Sequence, residues 1–296
     1  MMKSRVLIVG GSGYVGRHLL KAVSGIYEVT FTGMELYSPE DNYCRVLYED
    51  EKTFDAISSM KFDIAIILAA KLSSLDTTSL THPDLYSNTL AYAKFLEYLG
   101  EHKLVKQMIY VSSMSVYSTK NSLPVQEDGI VDPFHTYGLS KHIAERITSF
   151  FCMHNPIKGL ILRIPGVYGG ERKSGYIYNC IVKCASNDPL RLNTQNLVFW
   201  EAINVNDLCR MIIKLLDTYQ WEKDIDVFNV SYGEECDFYK TAYFIKESLN
   251  SKSEIIEEDS KGYIPFYLSN RKLSSIINIT ETYKPSLLTY IREVVG

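Results

Sequence analysis

Arg5-Val6-Leu7-Ile8-Val9-Gly10-Gly11-Ser12-Gly13-Tyr14-Val15-Gly16 opens with an unbroken apolar run that ends in glycines. A run without polar alternation marks a strand buried on both faces of a parallel sheet. Val15, Leu19, Leu20 and Val23 then recur at helical spacing, so the glycines lie between a strand and a helix. Glycine in that context lets backbone approach a pyrophosphate closely, and the amides at the helix N-terminus meet its charge. Both Gly10, Gly13, Gly16 and Gly11, Gly13, Gly16 satisfy the spacing. The expected dinucleotide cradle is therefore Gly10, Gly11, Ser12, Gly13, Tyr14 and Val15.

The pattern repeats downstream. Strands are expected at 28–32, more weakly at 45–48, and strongly at 63–69, where Asp63-Ile64-Ala65-Ile66-Ile67-Leu68-Ala69 is nearly all apolar. Residues 53–60 read as helical. Pro83 suits the first turn of a long helix reaching about residue 101, with Leu85, Leu90, Phe95, Leu96 and Leu99 inward. A strand at 107–111, a helix at 137–154 and a strand at 159–164 follow. Strand-helix-strand units at this spacing predict an α/β fold, a right-handed doubly wound parallel (Rossmann) sheet over 1–165. The more irregular residues 166–296 are expected to form a small C-terminal substrate-binding lobe, with segments near 200–231 returning to the first domain.

Composition bounds the function. The 296 residues are 46% hydrophobic and 22% charged, with a formal net charge of -4, so no polyanion-binding surface is implied and nucleic acid is not an expected partner. No apolar run is long enough for a membrane span, and Val6–Val9 is too short for a signal peptide, which makes the cytoplasm the expected location and a membrane partner unexpected. Cys44, Cys152, Cys180, Cys184, Cys209 and Cys236 are scattered, and no second Cys/His pair matches the 180/184 spacing. Reduced core thiols and no metal are expected.

Tyr137-Gly138-Leu139-Ser140-Lys141 carries the chemistry. A phenol ordinarily titrates near pH 10, too high to exchange protons efficiently near neutrality. A lysine one helical turn away lies on the same face, and its charge is expected to lower the tyrosine toward working pH. Ser113, 24 residues upstream at the end of an apolar strand, supplies a hydroxyl to hold the reacting oxygen. With a dinucleotide nearby, this set moves a hydride on or off a carbinol carbon. Gly33 stands where the second strand usually ends in an acid for the adenosine ribose, which removes the repulsion of a 2′-phosphate. No Arg or Lys follows at once and Glu35 is close; NADP is favoured over NAD.

Taken in order, segments 10–16, 63–70, Asn88, Val111-Ser112-Ser113-Met114-Ser115-Val116-Tyr117, 137–141, Leu162-Arg163-Ile164-Pro165-Gly166-Val167-Tyr168-Gly169 and 202–207 resemble the extended short-chain dehydrogenase/reductases of the nucleotide-sugar epimerase/dehydratase type. The resemblance implies Tyr137 as general acid/base, Ser113 as the substrate-oxygen partner and Lys141 as the holder of the nicotinamide ribose. It extends the cofactor site to Asp50, Leu68, Ala69, Ala70, Asn88 and Ile164, and the substrate site to Ser113, Ser115, Tyr168, Arg172 and Arg191. It also implies a nucleotide-sugar substrate and a homodimer through the helices at 84–101 and 136–154.

Departures from the family pattern narrow the chemistry. Where its dehydratases carry Asp-Glu after the catalytic hydroxyl, this chain has Met114 and Ser115. Gly166 and Trp200 replace an Asn and an Arg that usually contact substrate. Tyr168, Tyr176 and Tyr178 are a candidate stacking cluster for a nucleobase, with ordinary packing as the alternative. The expected function is reduction of a nucleotide-linked 4-keto-6-deoxy sugar. C4 epimerisation with NAD, and a non-catalytic cofactor-binding protein, are the alternatives.

Overall fold

A computed structural model describes residues 3–34, 42–73, 77–193, 199–258 and 263–296. Its centre is a seven-stranded sheet in the order β11-β6-β5-β4-β1-β2-β3. The strands are β1 (Arg5–Val9), β2 (Glu28–Gly33), β3 (Tyr43–Arg45), β4 (Phe62–Ile67), β5 (Val105–Ser113), β6 (Lys158–Ile164) and β11 (Ile225–Asn229). β1 pairs in parallel with both β2 and β4, and the outer pairs β2–β3 and β4–β5 are also parallel. Strand order reverses between β1 and β4, which opens a crevice at their carboxyl ends. Gly10 sits there with φ +86° and donates its N–H to the Thr32 carbonyl at 3.1 Å.

Helices α1 (Tyr14–Val23), α3 (Tyr92–Glu101) and α4 (Thr136–His154) accompany these strands. One face of the sheet buries Leu7, Val9, Ala65, Ile67, Met108 and Tyr110 against Tyr92, Phe95, Leu96 and Leu99 of α3.

Three local expectations are corrected. The third strand is β3 at Tyr43–Arg45 rather than 45–48, because Val46 and Tyr48 leave the ladder to enter the core. Residues 53–60 form a tighter 3₁₀ segment, Glu51–Ile57. The long helix starts at Pro83 as expected, but α2 (Pro83–Tyr86) runs into a π-helical turn at Ser87–Ala91 before α3. That extra residue per turn rotates Leu90 outward, 62% exposed.

The chain divides into two compact units. The first comprises residues 1–118, 130–163 and 216–228, and the second 119–129, 164–215 and 229–296. Within the second unit, three two-stranded parallel sheets pair β7 (Gly166–Tyr168) with β10 (Ala202–Asn204), β8 (Leu190–Asn193) with β12 (Ile255–Glu258), and β9 (Phe199–Trp200) with β13 (Ile264–Pro265). Asp207 ties this unit together by accepting from Tyr232 Oη at 2.6 Å and from the hydroxyl of Ser286. All six cysteines are free. Among the described residues no helix is long and apolar enough to cross a membrane, and no cluster of metal-ligating side chains is found.

Candidate active site

The glycines of the first turn separate into two kinds. A β-carbon on Gly10 would lie 2.7 Å from Ala69 N, on Gly11 2.7 Å from Phe31 Cβ, and on Gly16 2.3 Å from the Gly10 carbonyl. These three let α1, β2 and the end of β4 meet. Gly10 and Gly11, the alternatives that the two spacings offered, are therefore both needed by the fold. Gly13 differs: its β-carbon would meet only Gly10 O at 3.2 Å, its φ is an ordinary -71°, and it caps α1 without a side chain. The helix begins with backbone amides that have no intrahelical acceptor, beside an exposed glycine that packing does not require. That surface fits a pyrophosphate. Leu68 and Ala69 line the opposite bank, both donating N–H to Val9 O, at 2.9 and 3.0 Å; Ala70 beyond them is exposed and Ile164 is buried at the end of β6. Asp50 is exposed at the start of the 3₁₀ segment. Glu35 lies outside the described residues.

β5 delivers Ser113 to the carboxyl edge of the sheet, where its Oγ accepts from Ser115 N at 3.1 Å. The hydroxyl hydrogen is thereby left to point at an oxygen placed beside it. α4 meets this edge through Gly138. A β-carbon there would fall 2.2 Å from the Ser115 carbonyl, so only glycine lets the helix approach. His135 caps the helix, its Nδ1 accepting from Gly138 N at 2.9 Å. Thr136 fastens the same turn to the β4–α2 loop, donating N–H to Thr77 O at 2.9 Å and Oγ1–H to Ser79 O at 3.1 Å.

Asn88 lies in the π turn, 3% exposed. Its side chain accepts from Lys71 N at 2.7 Å and donates to Lys71 O at 2.9 Å and to Ser140 Oγ at 3.0 Å. Ser140 in turn donates to Tyr137 O at 2.8 Å. Asn88 thus joins the loop after β4 to the first turn of α4. π turns of this kind concentrate at functional sites.

The electrostatics correct one expectation. Lys141 is almost fully buried, and Nζ donates to the Val111 carbonyl at 2.6 Å while lying 4.2 Å above the Tyr110 ring. Burial lowers its ammonium to about 7, partly countered by Glu145. Tyr137 moves the opposite way: burial, with the Asp84 carboxylate adding to it, raises the phenol to about 12. Lys141 therefore does not lower Tyr137 toward neutrality in this structure. Its charge is spent on a backbone carbonyl and an aromatic face, and desolvation dominates both groups.

Behind these residues lies a group that the sequence reading missed. Glu145, one turn beyond Lys141, accepts from Ser112 Oγ at 2.5 Å and from Arg163 Nε and Nη2 at 3.0 and 2.7 Å. Both charged side chains are buried, 7% and 4% exposed, and the Arg163 guanidinium lies 4.7 Å over the Tyr117 ring. Two neighbouring residues of β5, Val111 and Ser112, are thus bound by two successive turns of α4. The signal was present: Tyr137, Lys141 and Glu145 stand at i, i+4 and i+8 on one helix face.

The expected substrate residues divide. Ser115 is buried beside Ser113 in the first unit. Tyr168, Arg172 and Arg191 belong to the second. Tyr168 is buried with its ring centroid 5.6 Å from Tyr290, whereas Tyr176 stacks on Phe238 at 3.9 Å and donates to its carbonyl. Tyr168 and Tyr176 thus pack against different aromatic partners. Arg172 donates to Val167 O at 3.1 Å, and Arg191 pairs with Glu258 at 2.5 Å. Trp200 packs edge-on against Tyr176 and Phe238, an aromatic contact where an arginine was expected.

A family described as the NAD dependent epimerase/dehydratase family matches residues 6–231. The chain is 24% identical over 285 residues to a putative UDP-glucose 4-epimerase of Methanocaldococcus jannaschii, covering 92% of each chain. It is 25% identical to dTDP-4-dehydro-6-deoxyglucose reductase of Escherichia coli, covering 87% of this chain and 85% of that one. Among solved structures, MoeE5 in complex with UDP-glucose and NAD superposes with a TM-score of 0.82 at 19% identity over 97% of both chains. RMD from Pseudomonas aeruginosa, complexed with NADPH, gives 0.82 at 20% identity over 99% of this chain and 98% of that one. At these identities the structural likenesses establish the fold.

Proposed function

We propose, on the premise that the chain belongs to the NAD dependent epimerase/dehydratase family, that it is a ketoreductase acting on a nucleotide-linked 4-keto-6-deoxy sugar with NADP(H). The observation that carries this reading is the pair Met114 and Ser115 in the turn directly after Ser113. That turn holds no carboxylic acid or carboxylate to remove a ring proton, so elimination of water lacks its acid and base. What remains serves one carbonyl. Ser113 donates a hydrogen bond to the carbonyl oxygen, and Tyr137, held protonated by its raised pKa, gives that oxygen a proton as it becomes an alcohol. The nicotinamide, when bound, supplies the hydride. Lys141 holds the nicotinamide ribose; Gly10, Gly11, Ser12, Gly13, Tyr14 and Val15 receive the pyrophosphate; Asn88, Leu68, Ala69, Ala70, Ile164 and Asp50 complete the cofactor contacts.

Gly33 supports NADP(H), since the last residue of β2 carries no acid to repel a 2′-phosphate. Tyr168 and Arg172 serve the sugar nucleotide on this reading, and Arg191 exchanges Glu258 for the diphosphate. The exposed Leu90, Phe150 and Met153 suit a homodimer through the α2–α3 segment and α4.

A second reading, C4 epimerisation, is favoured by the epimerase names among the relatives. There the same residues oxidise C4, and the sugar is reduced from its other face. Purified protein given NADPH and a 4-keto-6-deoxy sugar nucleotide should consume one NADPH per alcohol formed. Interconversion of UDP-glucose and UDP-galactose on retained NAD, without net cofactor consumption, would support the epimerase instead.

A further inference from the structure

Asp84 lies in α2, buried with 2% of its surface exposed. Its two carboxylate oxygens are both held by one residue of the loop after β4: Oδ2 accepts from Ser73 N at 2.6 Å and Oδ1 from Ser73 Oγ at 2.8 Å. Acceptors on both oxygens are what an ionised carboxyl offers. No cation neutralises it. His82 brings Nδ1 to 3.6 Å from Oδ2, but the same nitrogen accepts the Asp84 N–H at 3.3 Å, so it faces the carboxylate as a lone pair. Among the described residues no lysine or arginine pairs with Asp84. A buried charge left in this state acts over a longer range than one in water.

The segment that carries Asp84 is bound to the turn that carries Tyr137. α2 packs against α4. Asn88, four residues after Asp84, donates to Ser140 Oγ, and Ser140 donates to Tyr137 O. Thr136 is fastened to residues 77 and 79 of the loop that Asp84 grips at Ser73. The other titratable groups around Tyr137 set no competing charge against it. Burial keeps Tyr110 of β5 a neutral phenol. The His135 ring, with its centroid 6.2 Å from that of Tyr137, uses Nδ1 as an acceptor. Lys141 turns its ammonium to Val111 O and the Tyr110 ring.

We propose that the Asp84 carboxylate biases Tyr137 toward its protonated form and so favours carbonyl reduction over the reverse oxidation at this site. The proposal rests on reading Tyr137 as the acid/base. In reduction the phenol gives its proton to an oxygen that gains alkoxide character as hydride reaches the carbon, and an alkoxide is a stronger base than a phenolate, so the transfer still runs. In oxidation a phenolate must take the proton of the alcohol, and a carboxylate nearby makes that phenolate scarce. Asp84 acts through Tyr137 and is in that sense a positioning residue.

The test is carbon NMR of protein labelled at tyrosine Cζ, where phenol and phenolate differ in chemical shift, with Tyr137 assigned by its loss in Tyr137→Phe. Wild type, Asp84→Asn, Asp84→Ser and Ser73→Ala are titrated from pH 8 to pH 11, and far-ultraviolet circular dichroism checks that each is folded. At a given pH the two neutral variants should carry about three- to tenfold more Tyr137 phenolate than wild type. Ser73→Ala loosens the loop and keeps the charge, so it should titrate as wild type. With NADP and the alcohol formed by reducing a 4-keto-6-deoxy sugar nucleotide, Asp84→Asn should produce NADPH at pH 8 faster by about the same factor. A Tyr137 titration unchanged in the neutral variants, or moved as far by Ser73→Ala, would overturn the proposal and leave Tyr137 standing as the acid/base. A moved titration with the oxidation rate unchanged would overturn the acid/base reading itself.

Discussion

Lys141→Met should make the protein more stable below neutral pH and less stable in strong base. Burial lowers the Lys141 ammonium from 10.5 to about 7. At about 1.4 kcal/mol per unit, keeping it charged in the fold costs roughly 5 kcal/mol. The folded value lies below the unfolded one, so the unfolded chain binds more protons between about 7 and 10.5. Stability therefore rises with pH across that window and carries the full penalty below it. Methionine keeps the apolar stem and removes the charge. It also leaves the Val111 carbonyl without the 2.6 Å bond, a loss of about 1–3 kcal/mol. The variant should gain about 2–4 kcal/mol at pH 6; at pH 10, where about 1 kcal/mol of the penalty remains, it should lose about 0–2 kcal/mol. Thermal melts of both proteins at pH 6 to 10 read this as a change of sign in the Tm difference. Cofactor affinity and turnover should fall at every pH, since stability gained in an active site commonly costs function. A Tm difference that stays constant from pH 6 to pH 10 would refute the reasoning, because Lys141 would then titrate alike folded and unfolded.

Gly13→Val should weaken dinucleotide binding by more than about tenfold, about 1.4 kcal/mol, while circular dichroism and Tm stay near wild type, because the added β-carbon meets only Gly10 O. Gly138→Ala should do the reverse and destabilise the fold by about 1–3 kcal/mol, since its methyl would fall 2.2 Å from Ser115 O; urea titration checks this. Glu145→Gln strands the buried Arg163 guanidinium and should cost about 3–5 kcal/mol in the same titration, with kcat lowered more than KM is raised.

Much of this was legible because it depends on short-range patterns. The apolar run of β1, the glycines after it and the helical spacing of α1 are local signals, and so are Ser113 at a strand end and Tyr137 four residues before Lys141. What the sequence hid depends on residues distant in the chain. The π turn at Ser87–Ala91 forms where Asn88 grips both backbone groups of Lys71, a contact that no local propensity encodes. The electrostatic reversal at Tyr137 and Lys141 had the same origin. Helical spacing brings the two onto one face, but it carries no information about how deeply both are buried or that Val111 O claims the ammonium.

The measurement closest to the central claim is a single-turnover stopped-flow assay of Tyr137→Phe. Enzyme preloaded with NADPH is mixed with a 4-keto-6-deoxy sugar nucleotide, beside an NADPH titration of the same variant. The substitution removes one oxygen and keeps the ring, so NADPH affinity should remain near wild type. With the proton donor gone, the rate of NADPH oxidation should fall by about 10²–10⁴-fold. A Tyr137→Phe protein that oxidises NADPH at the wild-type rate would contradict the assignment of Tyr137 as the group that protonates the substrate oxygen.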